Sequence, residues 1–228
     1  MAEIIQIDKK TWRIEDEMVR FFLFCGETKA ALIDTGMNAP NARQIAESIT
    51  SLPLILINTH ADRDHISGNG EFDEAYMSPA EEENYRDHGN TGKIVPIHDE
   101  DEINLGGRIL KIIDLPGHTK GSIAILDTNN RVLVGGDSIQ DGNIFMFGPQ
   151  RNLKTYIESL KKLSAYEGIY DEVYAMHGTF PVAPTIIPKL IEGAQQILDG
   201  KASGSPVNIF GNEVLLYKFD YAGFLCSK

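Results

Sequence analysis

Short blocks of apolar residues, each closed by a turn signal, run along the chain. Residues 4–7 and 12–14 are the first two. Residues 18–25 are rich in β-branched and aromatic side chains and stop at Gly26, and 29–33 runs into Asp34-Thr35-Gly36. Short runs separated by tight turns predict successive antiparallel strands. Residues 38–49 place Asn38 as an N-cap, Pro40 in the first turn and Ile45 and Ile49 four apart, which predicts a helix. Leu54–Ile57 is apolar throughout, as a strand buried on both faces should be, and it ends at Asn58-Thr59-His60.

Residues 61–70 are polar and contain glycine, a loop with room for one helical turn. A strand over Glu74–Met77 precedes an acidic helix over 78–87, with Ser78 as N-cap, Pro79 behind it and glutamates at the positive end of the helix dipole. Strands follow at 94–97 and 108–115, then a hairpin of 122–127 and 131–134 across Thr128-Asn129-Asn130. Leu153–Leu163 is amphipathic at helical spacing, Glu172–Ala175 reads as a strand, 185–198 as a helix and 214–219 as a final strand, with 200–206 a loop before it. No repeat and no long linker interrupts this order. It predicts one α/β domain over residues 1–228, with two sheets packed face to face and helices outside.

Apolar residues make up 42% of the chain and charged residues 24%, which suits a soluble globular domain and not a disordered one. The net charge of -12 counts against a nucleic-acid partner, because such binding rests on Lys and Arg neutralising phosphates. Bound divalent cations would offset part of that acidity. The apolar runs fall far short of the roughly 20 residues a membrane-crossing helix needs. The first residues show no basic segment followed by a long apolar one, so no signal peptide is expected. Two cysteines, Cys25 and Cys226, cannot build a disulfide framework. Together these features predict a cytoplasmic protein acting on a small molecule, without nucleic-acid or membrane partners.

The chemistry concentrates at strand ends. His60, His118 and His177 each follow a predicted strand, and so does Asp137. Loops at the carboxyl ends of strands are where α/β proteins place their sites. Thr59-His60-Ala61-Asp62-Arg63-Asp64-His65 offers four potential metal ligands within a few residues of loop, a mixture of imidazole and carboxylate that transition metals accept. Pro116-Gly117-His118-Thr119, Gly135-Gly136-Asp137-Ser138 and Met176-His177-Gly178 each present one more ligand on a sharp turn.

With Asp34-Thr35-Gly36, these segments occur in the order and spacing of the metallo-β-lactamase superfamily. The chain resembles its glyoxalase II-like metallo-hydrolases over about residues 18–180. The resemblance implies the family's αβ/βα four-layer sandwich of two packed mixed sheets with helices outside. It also implies two divalent metal ions, zinc or iron, with manganese a third candidate. His60 and His118 would hold the first ion, Asp64, His65 and His177 the second, and Asp137 would bridge them. Asp34 would orient the ligand loop, and Asp64 would also orient the attacking water as a catalytic group.

One position departs from the family's His-x-His-x-Asp-His pattern: the second histidine is replaced by Asp62. Its side chain is shorter, so either it leaves the first position empty and the enzyme holds one metal, or as a metal ligand it lowers the net charge of a two-metal centre. The lower charge favours oxygen-preferring metals such as iron or manganese over zinc. Three functions follow as expectations. The first is hydrolysis of a small ester, thioester, lactone or related substrate by metal-activated hydroxide. The second is di-iron redox chemistry like that of flavodiiron members, without their flavin domain. The third is a non-catalytic metal- or ligand-binding module. Arg63 is expected to steer an anionic substrate or pair with an acid, and Phe145 and Phe147 to wall a substrate pocket. His88 and His98 are expected at the surface, and Tyr156 and Tyr166 in helix packing. Residues 208–228 are apolar enough to complete a sheet or to form a homodimer contact.

Overall fold

The computed structural model describes residues 2–228. Seven strands form the first sheet in sequence order: β1 (Glu3–Asp8), β2 (Thr11–Asp16), β3 (Val19–Cys25), β4 (Ala30–Ile33), β5 (Leu54–Ile57), β6 (Glu74–Met77) and β7 (Lys93–Pro96). Pairing is antiparallel from β1 to β4 and parallel from β4 to β7, so the sheet is mixed. The switch follows from the connections. Tight turns can join only antiparallel neighbours, whereas parallel strands need a crossover. Helices α1 (Ala42–Ile49), α2 (Arg63–Ile66) and α3 (Glu82–Asp87) lie within those crossovers.

The second sheet has the order β13 (Glu172–Ala175), β11 (Val132–Gly136), β10 (Ile123–Asp127), β9 (Ile109–Asp114), β8 (Glu102–Asn104). It is antiparallel except for the β11–β13 pair, whose parallel return runs through α4 (Leu153–Leu163). The two-residue period of a strand sorts its side chains between two cores. In β3, Phe22 and Phe24 join Ile33 and Ile57 against Ile112, Ile125, Val134 and Tyr174 of the second sheet. Phe21, Leu23 and Cys25 face the other way, toward Ala42 and Ala46 of α1. A third cluster packs Ile113, Leu126 and Leu133 of the second sheet against Tyr156 and Leu160 of α4 and Ile187 and Leu190 of α5 (Ile186–Leu198). The layers are therefore helix, sheet, sheet, helix, as the apolar pattern predicts.

The C-terminal segment completes a sheet of its own. Strands β12 (Asn143–Met146), β14 (Ser205–Ile209), β15 (Asn212–Lys218) and β16 (Gly223–Ser227) pair in the order β12-β16-β15-β14. Residues 205–209, expected partly as loop, lie in this sheet. Residues 143–146, where the sequence predicts no strand, form one edge of it. The α1 helix starts later than expected: its N-cap is Asn41, and the backbone N–H groups of Met37 and Asn38 donate instead to Asp16 Oδ2 at 2.8 and 2.6 Å. Among the described residues, no helix is long and apolar enough to cross a membrane.

Candidate metal centre

Five strand ends converge on one edge of the sandwich. Asp34 follows β4, His60 follows β5, His118 lies just after β9, Asp137 follows β11 and His177 lies just after β13. The single helical turn α2 carries Asp64 and His65, with Asp62 ahead of it. Its backbone is fastened to the β4 end by the Thr35 N–H donating to His65 O at 2.9 Å. The His118 turn needs Gly117, whose φ is 139° and which lies so close to α4 that a Cβ would stand 2.4 Å from Tyr156 Cα.

Three ligand groups result, one of them the buried set Asp34, His60 and His65, and the other two meet at Asp137. Asp64, His65, Asp137 and His177 form one, and His60, Asp62 and His118 the other; within each, one ligand atom per residue lies within 4.8 Å of the rest. Asp137 faces both groups. Its Oδ1 stands 3.2 Å from His65 Nε2 and 3.3 Å from His177 Nε2, and its Oδ2 stands 3.7 Å from His118 Nε2. Asp64 Oδ2 lies 3.5 and 3.3 Å from the Nε2 atoms of His65 and His177. Asp62 Oδ2 lies 3.6 and 3.3 Å from those of His60 and His118. Donors about 2.0–2.1 Å from a tetrahedral ion stand about 3.3 Å apart, so these separations suit metal ligation. Asp62 thus stands in one ligand group with His60 and His118.

All four imidazoles are held by their Nδ1 atoms. His65 Nδ1 meets Asp34 Oδ2 at 2.9 Å, His118 Nδ1 meets Phe145 O at 3.0 Å and His177 Nδ1 meets Met18 O at 2.6 Å. His60 Nδ1 meets Thr59 Oγ1 at 3.0 Å, and that hydroxyl donates to Asp34 Oδ2 at 2.7 Å. Because these partners accept, the proton belongs on Nδ1, and Nε2 is turned toward the centre. His60, His65 and His118 Nε2 and Asp137 Oδ1 are buried without an aligned hydrogen-bond partner. Buried polar atoms are rarely left so, and several converging ones fit the ligand set of a cation.

Charge tells the same story. Burial alone would push the Asp137 and Asp64 carboxyls up, but the charges of His177 and His65 outweigh it and hold both well below the usual range. Burial likewise pulls the two histidines down, yet Asp137 and Asp64 win, raising His65 strongly and His177 to about 10. A metal ion entering here must displace protons. Asp62 is also held low: burial is overcome by hydrogen bonding and charge from His118 and His60. The site is closed around His60 and His118, each 1% exposed, and opens where the side chains of Asp64 and His177 are 26% and 19% exposed.

Asp34 is fully buried and accepts from Thr59 N at 2.8 Å, besides Thr59 Oγ1 and His65. These bonds tie Asp34 to the backbone and hydroxyl of Thr59, beside His60, and to the His65 ring. Arg63 is exposed on α2, with no hydrogen bond or ion pair among the described residues. Phe145 and Phe147 are half-buried with ring centroids 5.5 Å apart, and Phe145 stacks on Phe210 at 6.4 Å. Phe210, at the β14–β15 turn, is 86% exposed. Tyr156 and Tyr166 lie outside the metal-ligand groups. Tyr156 is buried in the α4 packing, where its hydroxyl donates to Ser138 O at 2.8 Å.

Four supporting residues escaped the sequence reading. Glu81 is fully buried and accepts from the N–H groups of Ala61 and Gly121, both at 2.7 Å, tying the His60 loop to the His118 loop. Arg20 donates to the carbonyls of Ala175, His177, Gly178 and Thr179 and so holds the His177 turn. Asn84 donates to Asp62 Oδ1 at 2.9 Å, and Arg151 donates to Asp62 Oδ2. Glu81 and Asn84 lie in a segment whose acidity reads as a solvated helix start. Nothing local marks the two arginines.

Comparison with known proteins agrees with this geometry. The family model described as the metallo-beta-lactamase superfamily matches residues 15–168. A hydroxyacylglutathione hydrolase of Gloeobacter violaceus is 29% identical over 182 residues, covering 77% of this chain and 72% of the relative. An acyl-coenzyme A thioesterase of Homo sapiens is 24% identical over 183 residues, covering 62% of this chain and 66% of the relative. A solved metallo-beta-lactamase from Pontibacter korlensis superposes with a TM-score of 0.74 over 86% of this chain and 99% of that chain. At 17% identity this likeness shows a shared fold.

Proposed function

The chain belongs to the metallo-beta-lactamase superfamily and is a metal-dependent hydrolase, and from that premise we propose that it hydrolyses thioesters bearing an apolar group. The observation that carries the reading is the set of four imidazoles, each held at Nδ1 and turned inward at Nε2, around Asp62, Asp64 and Asp137. His60, Asp62 and His118 would hold one divalent ion, and Asp64, His65 and His177 a second, with Asp137 between them. Divalent ions bound there supply Lewis acidity and lower the pKa of water.

The chain's own groups do the rest. Asp64 lies on the open side, where its carboxylate can hold the attacking water and take its proton. The buried walls at His60 and His118 exclude bulk water and strengthen the charges inside. Phe145, Phe147 and Phe210 form an aromatic patch that begins at the residue whose carbonyl fixes His118, and they offer apolar surface to the acyl group. Exposed Arg63 offers a free cation to an anionic thiol portion. The thioester choice is supported by the two relatives, whose names specify thioester substrates.

The test is thiol release from acyl-glutathione and acyl-coenzyme A thioesters by metal-loaded protein, beside lactone and phosphodiester controls. We expect release to stop with chelator and to fall by at least about 100-fold in His118→Ala and His177→Ala, since loss of a ligand exceeds the 10–100-fold cost of losing its support. Phe210→Ala should raise KM for an apolar acyl thioester by about tenfold, the equivalent of part of a ring's burial. Faster turnover of the lactone or phosphodiester, with no thiol release, would overturn the thioester reading.

A further inference from the structure

Asp62 is where the ligand motif departs from the family pattern, and the fold brings a cation to it. Arg151 lies in the turn between β12 and α4, one residue before Asn152, the N-cap of α4. The Asn152 N–H donates to Gly117 O at 2.8 Å, which ties this turn to the loop carrying His118. Arg151 Nη2 donates to Asp62 Oδ2, the oxygen that also faces His60 and His118 Nε2. Asn84 holds the other oxygen. The side chains of Arg151 and Asp62 are only 14% and 16% exposed, so water does little to screen the pair.

A carboxylate oxygen has two lone-pair directions and can accept from a guanidinium with one while facing an ion with the other. The guanidinium brings one positive charge to the pair. With two divalent ions, Asp64 and Asp137 leave two net positive charges. Asp62 alone would reduce that to one, and Arg151 restores two. The geometry points to Asp62 and Arg151 as one neutral unit replacing a histidine: Asp62 supplies the ligand oxygen, and Arg151 cancels its charge. This rests on the metal centre proposed above. Its consequence is that the argument from charge for iron over zinc loses its force, because the first metal position feels the net charge of an all-imidazole site. Arg151 thereby weakens binding at that position while preserving the electron-withdrawing power of the ion.

A purely structural tether predicts the opposite sign, since freeing Asp62 would loosen a ligand and weaken binding. The experiment is equilibrium competition between the purified protein and a chromophoric chelator for zinc. It uses wild type, Arg151→Gln, Asp62→His and the Asp62→His/Arg151→Gln double variant. Affinity at the Asp64, His65, Asp137 and His177 position serves as the control for folding. We expect Arg151→Gln to tighten the weaker zinc by at least about tenfold, a modest part of what a unit charge near a divalent ion is worth at an effective dielectric of about 20. Asp62→His with Arg151 retained should bind that zinc at least about tenfold more weakly than the double variant, where no uncompensated cation remains. Unchanged or weakened binding in Arg151→Gln, with the control position intact, would overturn the proposal. Failure of every variant and of wild type to take up zinc, iron or manganese would overturn the metal centre, and this proposal with it.

Discussion

Asp34→Asn is the sharpest test of how this site is built, because it changes one atom and a charge while keeping the shape. Asp34 Oδ1 accepts from Thr59 N, and Oδ2 accepts from both Thr59 Oγ1 and His65 Nδ1. Every one of these partners donates, so whichever way the new amide is turned, its NH2 meets a donor. Turning it toward Thr59 N leaves a buried N–H unsatisfied. Turning it toward His65 forces that imidazole to move its proton to Nε2, the atom facing the metal position. The first outcome costs about 1–3 kcal/mol of stability, or roughly 2–12 °C in Tm for a chain of this size. The second weakens metal binding by about 10–100-fold. Differential scanning fluorimetry of chelated protein and zinc competition would read the two costs separately. A variant with wild-type Tm and metal affinity within about threefold would refute the claim that Asp34 sets the His65 tautomer.

Gly117→Ala should destabilise by about 1–3 kcal/mol or more, because its Cβ would strike the α4 backbone at Tyr156. Urea unfolding and metal stoichiometry should show stability and His118-side metal falling together, and unchanged values of both would contradict that packing. Arg20→Gln should lower metal affinity on the His177 side, since one amide cannot span the four carbonyls that Arg20 holds; metal competition would check this. Cys25 and Cys226 are buried with thiols pushed up by burial, Cys226 to about 11. A disulfide reagent should therefore label neither until the chain unfolds, and fast labelling of the native protein would refute it.

Much of the sandwich was legible because strand alternation is local information. The run at Val19–Cys25 encodes two opposite faces, and the structure uses one for each core. The C-terminal sheet was only partly legible. β12 and β14 are short edge strands that owe their extended form to the hydrogen bonds of β16 and β15, and an edge strand's own side chains carry little signal.

The candidate ligands were legible for a related reason. A strand end followed by a tight turn fixes where one side chain points, so His60, His118, Asp137 and His177 stood out as a set, and the family resemblance added Asp34. Their supports could not. Arg151 lies 89 residues from Asp62, and Arg20 lies 155 to 159 residues from the carbonyls it binds. Glu81 joins two loops from a third. By itself the sequence determined most of the strands, the layers and which candidate ligands sit at strand ends, because each is set by residues close together along the chain. Only the tertiary structure decided what charge those groups feel and which nitrogen of each imidazole is free. Those depend on partners that meet only after the sheets and helices have packed.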